Sequence, residues 1–220
     1  EINDNRPDLS PVLLALGKNA GIKTLKVDSL LSMDESLCTA MQNGLETNET
    51  LESLELGCVP LLDNNADLWC RAFSFLRTNK TLKSLTIRLE GRPTESCVSA
   101  FRIDIVVVLQ DNTSLESLAI KSWNRIEAKE YIAFVIALQH NRTLKSLDFL
   151  ASFTLTHDEV KQMASLLKKN YALEVLPAID LGNEARYLAA ILRLNEAGRR
   201  YLIEDGSPVS KGVKVLSDVS

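Results

Sequence analysis

The sequence of 220 residues has no long apolar run and no surplus of basic residues. Its longest strongly apolar segment, Ile132–Leu138, has 7 residues, far short of the about 20 that a membrane-spanning helix needs. Lys and Arg number 25 against 29 Asp and Glu, so no broad positive surface would attract nucleic acid. We therefore expect neither a membrane nor a nucleic acid as partner. Because Glu1 opens the sequence without a signal peptide, we interpret it as a piece of a longer cytoplasmic polypeptide.

Cysteine and histidine, which serve most often in metal and nucleophilic sites, number only 4 and 2. The spacings of Cys38, Cys58, Cys70 and Cys97 fit no pair of zinc ligands, and no HExxH motif or glycine-rich phosphate loop is present. The sequence thus predicts no catalytic residue, no metal site and no cofactor, and we expect that the protein is not an enzyme. We expect reduced, mostly buried thiols; a disulfide framework is the alternative.

Six asparagines mark a repeat that runs through most of the sequence: Asn19, Asn48, Asn79, Asn112, Asn141 and Asn170. Successive copies are 29, 31, 33, 29 and 29 residues apart. A leucine lies 3 residues before each asparagine, and apolar residues follow at 3, 6 and 8 residues after it. A single unit cannot bury its own apolar face, so these columns predict a stack of supersecondary units.

Each copy combines two periodicities. Its Leu-x-apolar end alternates apolar with polar residues, as a strand buried on one face does. Helical spacing precedes the asparagine, as in the apolar set Val160, Met163, Ala164 and Leu167. Thr156–Glu159 matches a capping box, Ser32–Glu35 has the same pattern, and Ser10 before Pro11 is typical of an N-cap. We expect each asparagine to end its helix, because Asn tolerates the left-handed conformation found there.

The recurring Leu-x-x-Asn-x-Thr/Ser-Leu-x-Ser-Leu-x-apolar motif, as in Leu76–Ile87 and Leu138–Phe149, resembles leucine-rich repeats of the ribonuclease-inhibitor type, which includes sensor regions of NOD-like receptors. The resemblance covers about residues 11–181. It implies a right-handed α/β solenoid, the leucine-rich-repeat horseshoe, with a parallel sheet on the concave face and helices on the convex face. It implies no particular partner, because this architecture accommodates many. Where the family has Asn or Cys after the strand, this sequence has Val59, Glu90, Trp123 and Ser152.

Pro177 interrupts the sixth copy, because proline cannot donate a hydrogen bond to a sheet. We predict a solenoid of about six repeats over residues 1–181, a C-terminal helical cap over 182–205 and a flexible tail over 206–220. Within the cap, Leu192–Leu202 resembles a segment that follows the repeats in leucine-rich-repeat proteins of microalgae. That match implies no activity.

Residues beside the buried columns point to the opposite face of the predicted sheet. Eight positions on this face and in the loops after it are predicted to bind a partner: Lys26, Glu55, Thr86, Arg88, Lys121, Trp123, Asp148 and Leu150. Arg and Trp carry much of the energy at many interfaces. Trp123 has an equally good alternative, filling the gap left by the absent turn asparagine, whereas Trp69 is predicted to lie in the core.

One further column alternates in charge without exception: Lys23, Glu52, Lys83, Glu116, Lys145 and Glu174. Opposite charges on neighbouring strands can pair, so we favour an internal ladder that fixes the register of the strands. A charged rim for a partner is the alternative. Four of the six asparagines also match the Asn-x-Ser/Thr glycosylation motif, which we interpret as a coincidence imposed by the repeat.

These features favour a protein-interaction module that binds a protein partner through the concave sheet face and adjacent loops, and that is monomeric in isolation. Two alternatives remain open. A GTPase-activating protein is one, since a family with this repeat architecture has that activity. It would need an arginine or asparagine to complete a partner's site, for which Arg88 and Arg92 are the candidates. A sensor or scaffold segment of a larger signalling protein is the other.

Overall fold

A computed structural model describes most of the repeat region and one helix after it. The residues described are 8–28, 34–60, 66–90, 104–105, 107–121, 128–139, 141–149, 156–170, 172–176 and 185–196. The predicted tail over 206–220 lies outside them, and the predicted domain boundaries stay predictions.

Five strands form one sheet: β1 Thr24–Val27, β2 Ser53–Pro60, β3 Ser84–Glu90, β4 Ser117–Lys121 and β5 Ser146–Phe149. They pair in chain order, and every pair is parallel. Parallel neighbours require a crossover between them, and a helical segment lies in each one. The predicted α/β solenoid with a single parallel sheet is therefore confirmed.

The helices are α1 Ser10–Leu16, α2 Glu35–Glu46, α3 Ala66–Ala72, α4 Ala128–Leu138, α5 His157–Leu167 and α6 Ala185–Glu196. A 3-10 helix, Phe73–Arg77, continues α3, and residues 104–105 and 107–111 are also helical. Neighbouring helices pack against one another, as in α1 on α2 and α4 on α5. Helix α6, which falls within the predicted cap, packs on α5.

The core consists of apolar columns that continue from one repeat to the next. Leu54, Leu85, Leu118 and Leu147 are register partners on successive strands, and each is at most 1% exposed. The leucines 3 residues before the asparagines are buried in all six copies. Trp69 is fully buried and stacks on Phe73, with ring centroids 6.1 Å apart, so its predicted core position is confirmed.

The longer spacing after the second asparagine is absorbed partly within β2. The register between β2 and β3 shifts between Leu56 and Val59, the mark of an inserted residue in one strand. Gly57 lies at this shift and is buried, and a Cβ there would lie 2.7 Å from the carbonyl oxygen of Asp28. Glycine is required because the backbone of the preceding repeat passes so close.

Among the described residues, the sixth copy forms one isolated bridge, between Ser146 and Val175. Its backbone still follows the others, since Glu174 and Val175 both donate to the carbonyl of Lys145, at 2.7 and 2.9 Å. The break predicted at Pro177 lies outside the described residues.

The helix starts contain one confirmed prediction and two corrections. The capping box of Thr156 and Glu159 is present in both directions at the start of α5. Helix α2, however, is capped by Asp34, whose side chain accepts from the N–H of Leu37 at 2.8 Å. The N-cap is therefore the aspartate directly before the helix, not Ser32 as the predicted Ser32–Glu35 box required. In α1, Ser10 is the first helical residue rather than the N-cap.

Candidate interaction surface

The face of the sheet that points away from the core, called the open face below, carries four of the predicted partner-binding residues in one row. Lys26, Glu55, Thr86 and Asp148 occupy equivalent positions on β1, β2, β3 and β5, with Ala119 between the last two. All four are at least partly exposed, because strand side chains alternate between the core and this face. The structure therefore brings these residues into one row, called the polar strip below, which is interrupted on β4 by Ala119.

Arg88 and Lys121 form the next row of the open face. They are register partners on β3 and β4, and both are half-buried. The guanidinium of Arg88 pairs with the carboxylate of Glu55, which also lies 3.7 Å from the ammonium of Lys26. Within the described part of the chain, Lys121 has no ion-pair partner. Of these two adjacent cations, only Arg88 is paired with a carboxylate among the described residues.

Three residues considered from sequence cannot be placed on this face. Trp123 and Leu150, both predicted to bind a partner, lie outside the described residues. So does Arg92, the second arginine considered for a GTPase-activating role. The first, Arg88, belongs to a strand and its guanidinium is engaged by Glu55.

The alternating charge column forms cross-strand ion pairs along much of its length. Glu52 lies 3.1 Å from Lys23 and 3.4 Å from Lys83, and Lys145 lies 2.7 Å from Glu116. The Lys23 ammonium, by hydrogen bond and charge, and then Lys83 hold the pKa of the Glu52 carboxyl below its ordinary value. These contacts join neighbouring repeats, as the favoured interpretation of an internal ladder requires.

The asparagines of the repeat form a second and deeper ladder. From Asn48 to Asn170, each side-chain Nδ2 donates to the carbonyl of the leucine that precedes the previous asparagine, at 2.5 to 2.9 Å. Each Oδ1, including that of Asn19, accepts from the backbone N–H groups 2 and 3 residues later, at 2.6 to 3.0 Å. The amide thus satisfies an orphan helix carbonyl and shapes the turn into the strand.

The structure gives these asparagines a role that the sequence did not suggest. We expected Asn because it tolerates a left-handed helix end, but the residues that cap α1, α2 and α5 (Gly17, Thr47 and Lys168) are right-handed. The asparagines are instead 1–3% exposed from the second copy onward and serve as hydrogen-bonding groups. Six asparagines in register within an otherwise apolar pattern were the signal that could have revealed this.

Asn195 adds a further step that sequence reasoning missed. This residue of α6 is 3% exposed, and its Nδ2 donates to the carbonyls of Asn170 and Leu173 at 3.0 and 2.6 Å. The helix that follows the last repeat is therefore fixed to it by the same side-chain chemistry. Its spacing of 25 residues from Asn170, shorter than the others, concealed it.

The glycosylation motifs coincide with this ladder. In Asn48, Asn79, Asn112 and Asn141, the amide nitrogen that would carry a glycan is buried and donates into the preceding repeat. The motif's Thr or Ser has its own structural use, because the hydroxyls of Thr50, Thr81 and Ser114 donate to the carbonyl of the previous asparagine at 3.0 to 3.2 Å. The folded repeats present none of the four as an acceptor.

Other kinds of site find little support in the described part of the chain. No group of three His, Cys, Asp or Glu residues there could hold a metal ion. None of the helices described is long and apolar enough to cross a membrane. Burial raises the pKa of the Cys38 thiol, which disfavours the reactive thiolate.

Comparison with solved structures finds similar chains, one of which is described below. No protein-family model matches the sequence, and no curated protein is significantly similar to it. A solved structure described as Leiomodin-1 Actin-Binding Site 2 (ABS2) shares 15% identity and a TM-score of 0.45, with 98% of this chain and 100% of that chain covered. Values this low do not transfer that protein's ligand to this chain.

Proposed function

We propose that the chain is a non-catalytic protein-interaction module that binds a protein partner through the open face and the loops that follow its strands. The observation that carries the proposal is the polar strip, whose members lie on four of the five strands, next to the adjacent cations Arg88 and Lys121. The rest of the sheet surface is committed to the core. The open face is thus the part of the sheet that can vary without disturbing the stack.

The chemistry of this face favours a partner that presents a carboxylate. Arg88 and Lys121 are adjacent on β3 and β4, and among the described residues only Arg88 has an ion-pair partner, Glu55. An incoming Asp or Glu would relieve the repulsion between the two cations and would be held by charge-assisted hydrogen bonds. Because both cations are already half-buried, such contacts would be less screened than those of fully exposed pairs.

We also propose that the repeats are of the ribonuclease-inhibitor type. Their length of 29 to 33 residues and the helical segment between consecutive strands support this. A protein of this type that acts as a sensor or scaffold would use the same face, so that role is one form of the proposed function.

The proposal is tested by quantitative affinity capture from the source organism with the wild-type chain and with Arg88→Ala and Lys121→Ala. Lys161→Ala is the matched control, since this exposed lysine lies on α5 rather than on the sheet. A specific partner should be reduced about 10-fold or more by each open-face change, as expected for a desolvated charge contact. The control should leave it unchanged.

Two results would overturn the proposal. One is retention of every captured protein by both open-face variants, which would place binding elsewhere. The other is acceleration of phosphate release when the purified chain is added to small GTPases, lost in Arg88→Ala, which would establish a GTPase-activating protein instead.

A further inference from the structure

The N-terminal end of the stack exposes residues whose equivalents are buried everywhere else. Val12, 7 residues before Asn19, is 51% exposed, whereas its equivalent in the second repeat, Met41, is 0% exposed. Ile22, 3 residues after Asn19, is 39% exposed, whereas its equivalent, Leu51, is 1% exposed. The difference arises because each later repeat is covered by the one before it. The first repeat has no such neighbour among the residues described.

The same end is shaped to accept a helix. Helices α1 and α2 approach closely at Gly44, where an added Cβ would lie 2.7 Å from the carbonyl carbon of Leu13. Ala15 occupies in α1 the position that Gly44 occupies in α2, 4 residues before the asparagine. Around it lies an open hollow of about 330 Å³ lined by Pro11, Val12, Ala15, Leu16, Asn19 and Ile22.

Three hydrogen-bond donors at this end have no acceptor among the described residues, although their equivalents in later repeats do. Between all other neighbouring repeats, the backbone N–H groups of a charge-column residue and of the residue after it donate to one carbonyl of the preceding repeat. The N–H groups of Glu52 and Ser53, for example, donate to the carbonyl of Lys23 at 2.8 and 3.0 Å. Among the described residues, the N–H groups of Lys23 and Thr24 have no such acceptor, and neither does the side-chain Nδ2 of Asn19. In every later repeat, the three equivalent groups donate to carbonyls of the preceding repeat.

Charge restricts what can fill this position. Lys23 opens a column in which each lysine is followed by a glutamate, so the neighbour before it should carry an acidic residue. A second copy of this chain is a poor match. Two β1 strands paired edge to edge about a two-fold axis would run antiparallel, so a second copy could not repeat the parallel hydrogen-bond pattern found between all the other strands.

We infer that this end face, formed by Pro11, Val12, Ala15, Asn19, Ile22 and β1, is a docking surface for one more strand–helix repeat. The strand of that repeat runs parallel to β1 and places an acidic side chain beside Lys23. It supplies one carbonyl to the N–H groups of Lys23 and Thr24, another to Asn19, and an apolar helix face to α1. The inference does not depend on the function proposed for the open face.

The chain contains a suitable probe for this surface. Residues 104–127 comprise a helical segment, Asn112, Glu116 in the acidic position, and β4, and they lead directly into α4. A copy of this segment placed before Arg6, in place of residues 1–5, keeps the spacing of 29 residues between its asparagine and Asn19. Hydrogen exchange at the amides of Lys23 and Thr24, followed by NMR, then reports whether the added strand pairs with β1.

We expect the added segment to slow exchange at both amides by about 100-fold or more relative to the unmodified chain, because an open edge becomes an internal one. The matched control carries Glu116→Lys in the added copy alone and should lose up to about 5-fold of that protection, the worth of an exposed ion pair. A Gly/Ser segment of equal length should give none.

Two outcomes would overturn the inference. One is exchange at Lys23 and Thr24 that the added repeat slows no more than the Gly/Ser segment does. The other is a concentration-dependent dimer of the unmodified chain, seen by sedimentation velocity and abolished by Ile22→Lys, since a second copy would then be the occupant. Monomeric sedimentation of the unmodified chain is the expected result.

Discussion

Replacement of Asn79 by alanine should test the asparagine ladder directly. Its Nδ2 donates to the carbonyls of Leu45 and Asn48, at 2.8 and 3.2 Å, and its Oδ1 accepts from Thr81 and Leu82, at 3.0 and 2.8 Å. Alanine would leave at least the Leu82 N–H and the Leu45 carbonyl buried without a partner. Each such group costs about 1–3 kcal/mol, so we expect a loss of roughly 3–5 kcal/mol, a large part of a typical domain's stability.

Asn79→Asp separates the two halves of the amide. It keeps the oxygen that accepts from Thr81 and Leu82 but turns the donor towards Leu45 into a second acceptor, so the variant should be at least as unstable as Asn79→Ala at pH 7. Repulsion by the carbonyls and burial would raise the folded pKa of this carboxyl above its unfolded value. Its penalty relative to the wild type should therefore shrink as the pH falls through that raised pKa, because protonation restores a donor.

Urea unfolding followed by circular dichroism would measure these effects, with midpoints and slopes compared among the variants. Lys80→Ala is the control, since this exposed neighbour should change stability by no more than about 0.5 kcal/mol. A loss below about 1 kcal/mol for Asn79→Ala would refute the reasoning. So would an aspartate variant more stable than the alanine variant at pH 7.

Three further perturbations have defined outcomes in thermal or urea unfolding. Gly44→Ala should cost about 1–3 kcal/mol or more because its Cβ meets the backbone of α1, whereas Gly21→Ala, in open space, should be nearly neutral. Glu116→Lys should lower the Tm by about 1–3 °C at low salt and less at high salt; no change would contradict the charge ladder. Thr156→Ala should cost about 1 kcal/mol. Hydrogen bonds from the backbone N–H of Thr156, and then from its hydroxyl, lower the pKa of Glu159, so their contribution is present above the unfolded value and lost as the pH falls through the folded one. Alanine keeps the N–H bond and removes the hydroxyl's, so the variant should lose part of this acid sensitivity, and an unchanged sensitivity would contradict the hydroxyl's role.

The fold was predictable because its signal is periodic. Leu54, Leu85, Leu118 and Leu147 recur at fixed offsets from an asparagine, and a column of leucines buried in register follows from that spacing alone. The strand face that each residue occupies follows as well, because side chains alternate along a strand. Lys26, Glu55, Thr86 and Asp148 could therefore be assigned to one surface before the structure was known.

The role of the asparagines was missed because their partners are distant in sequence. The Nδ2 of Asn112 binds a carbonyl 36 residues earlier, and no local pattern identifies a backbone acceptor. The cap of α2 was missed for a different reason, since Asp34 and Ser32 both satisfy the local preference and only geometry decides between them. Trp123 and Leu150 fall outside the apolar columns that recur in the sequence, so no periodicity assigns them a contact.

The most direct test of the account is a methyl NOE experiment on leucine-labelled protein. Successive repeats stacked in one parallel sheet predict strong cross-peaks from Leu54 to Leu85, from Leu85 to Leu118 and from Leu118 to Leu147, with a much weaker signal between Leu54 and Leu118, which lie two strands apart. Absence of these sequential contacts, or strong contacts that skip a repeat, would contradict the stack and every surface defined on it.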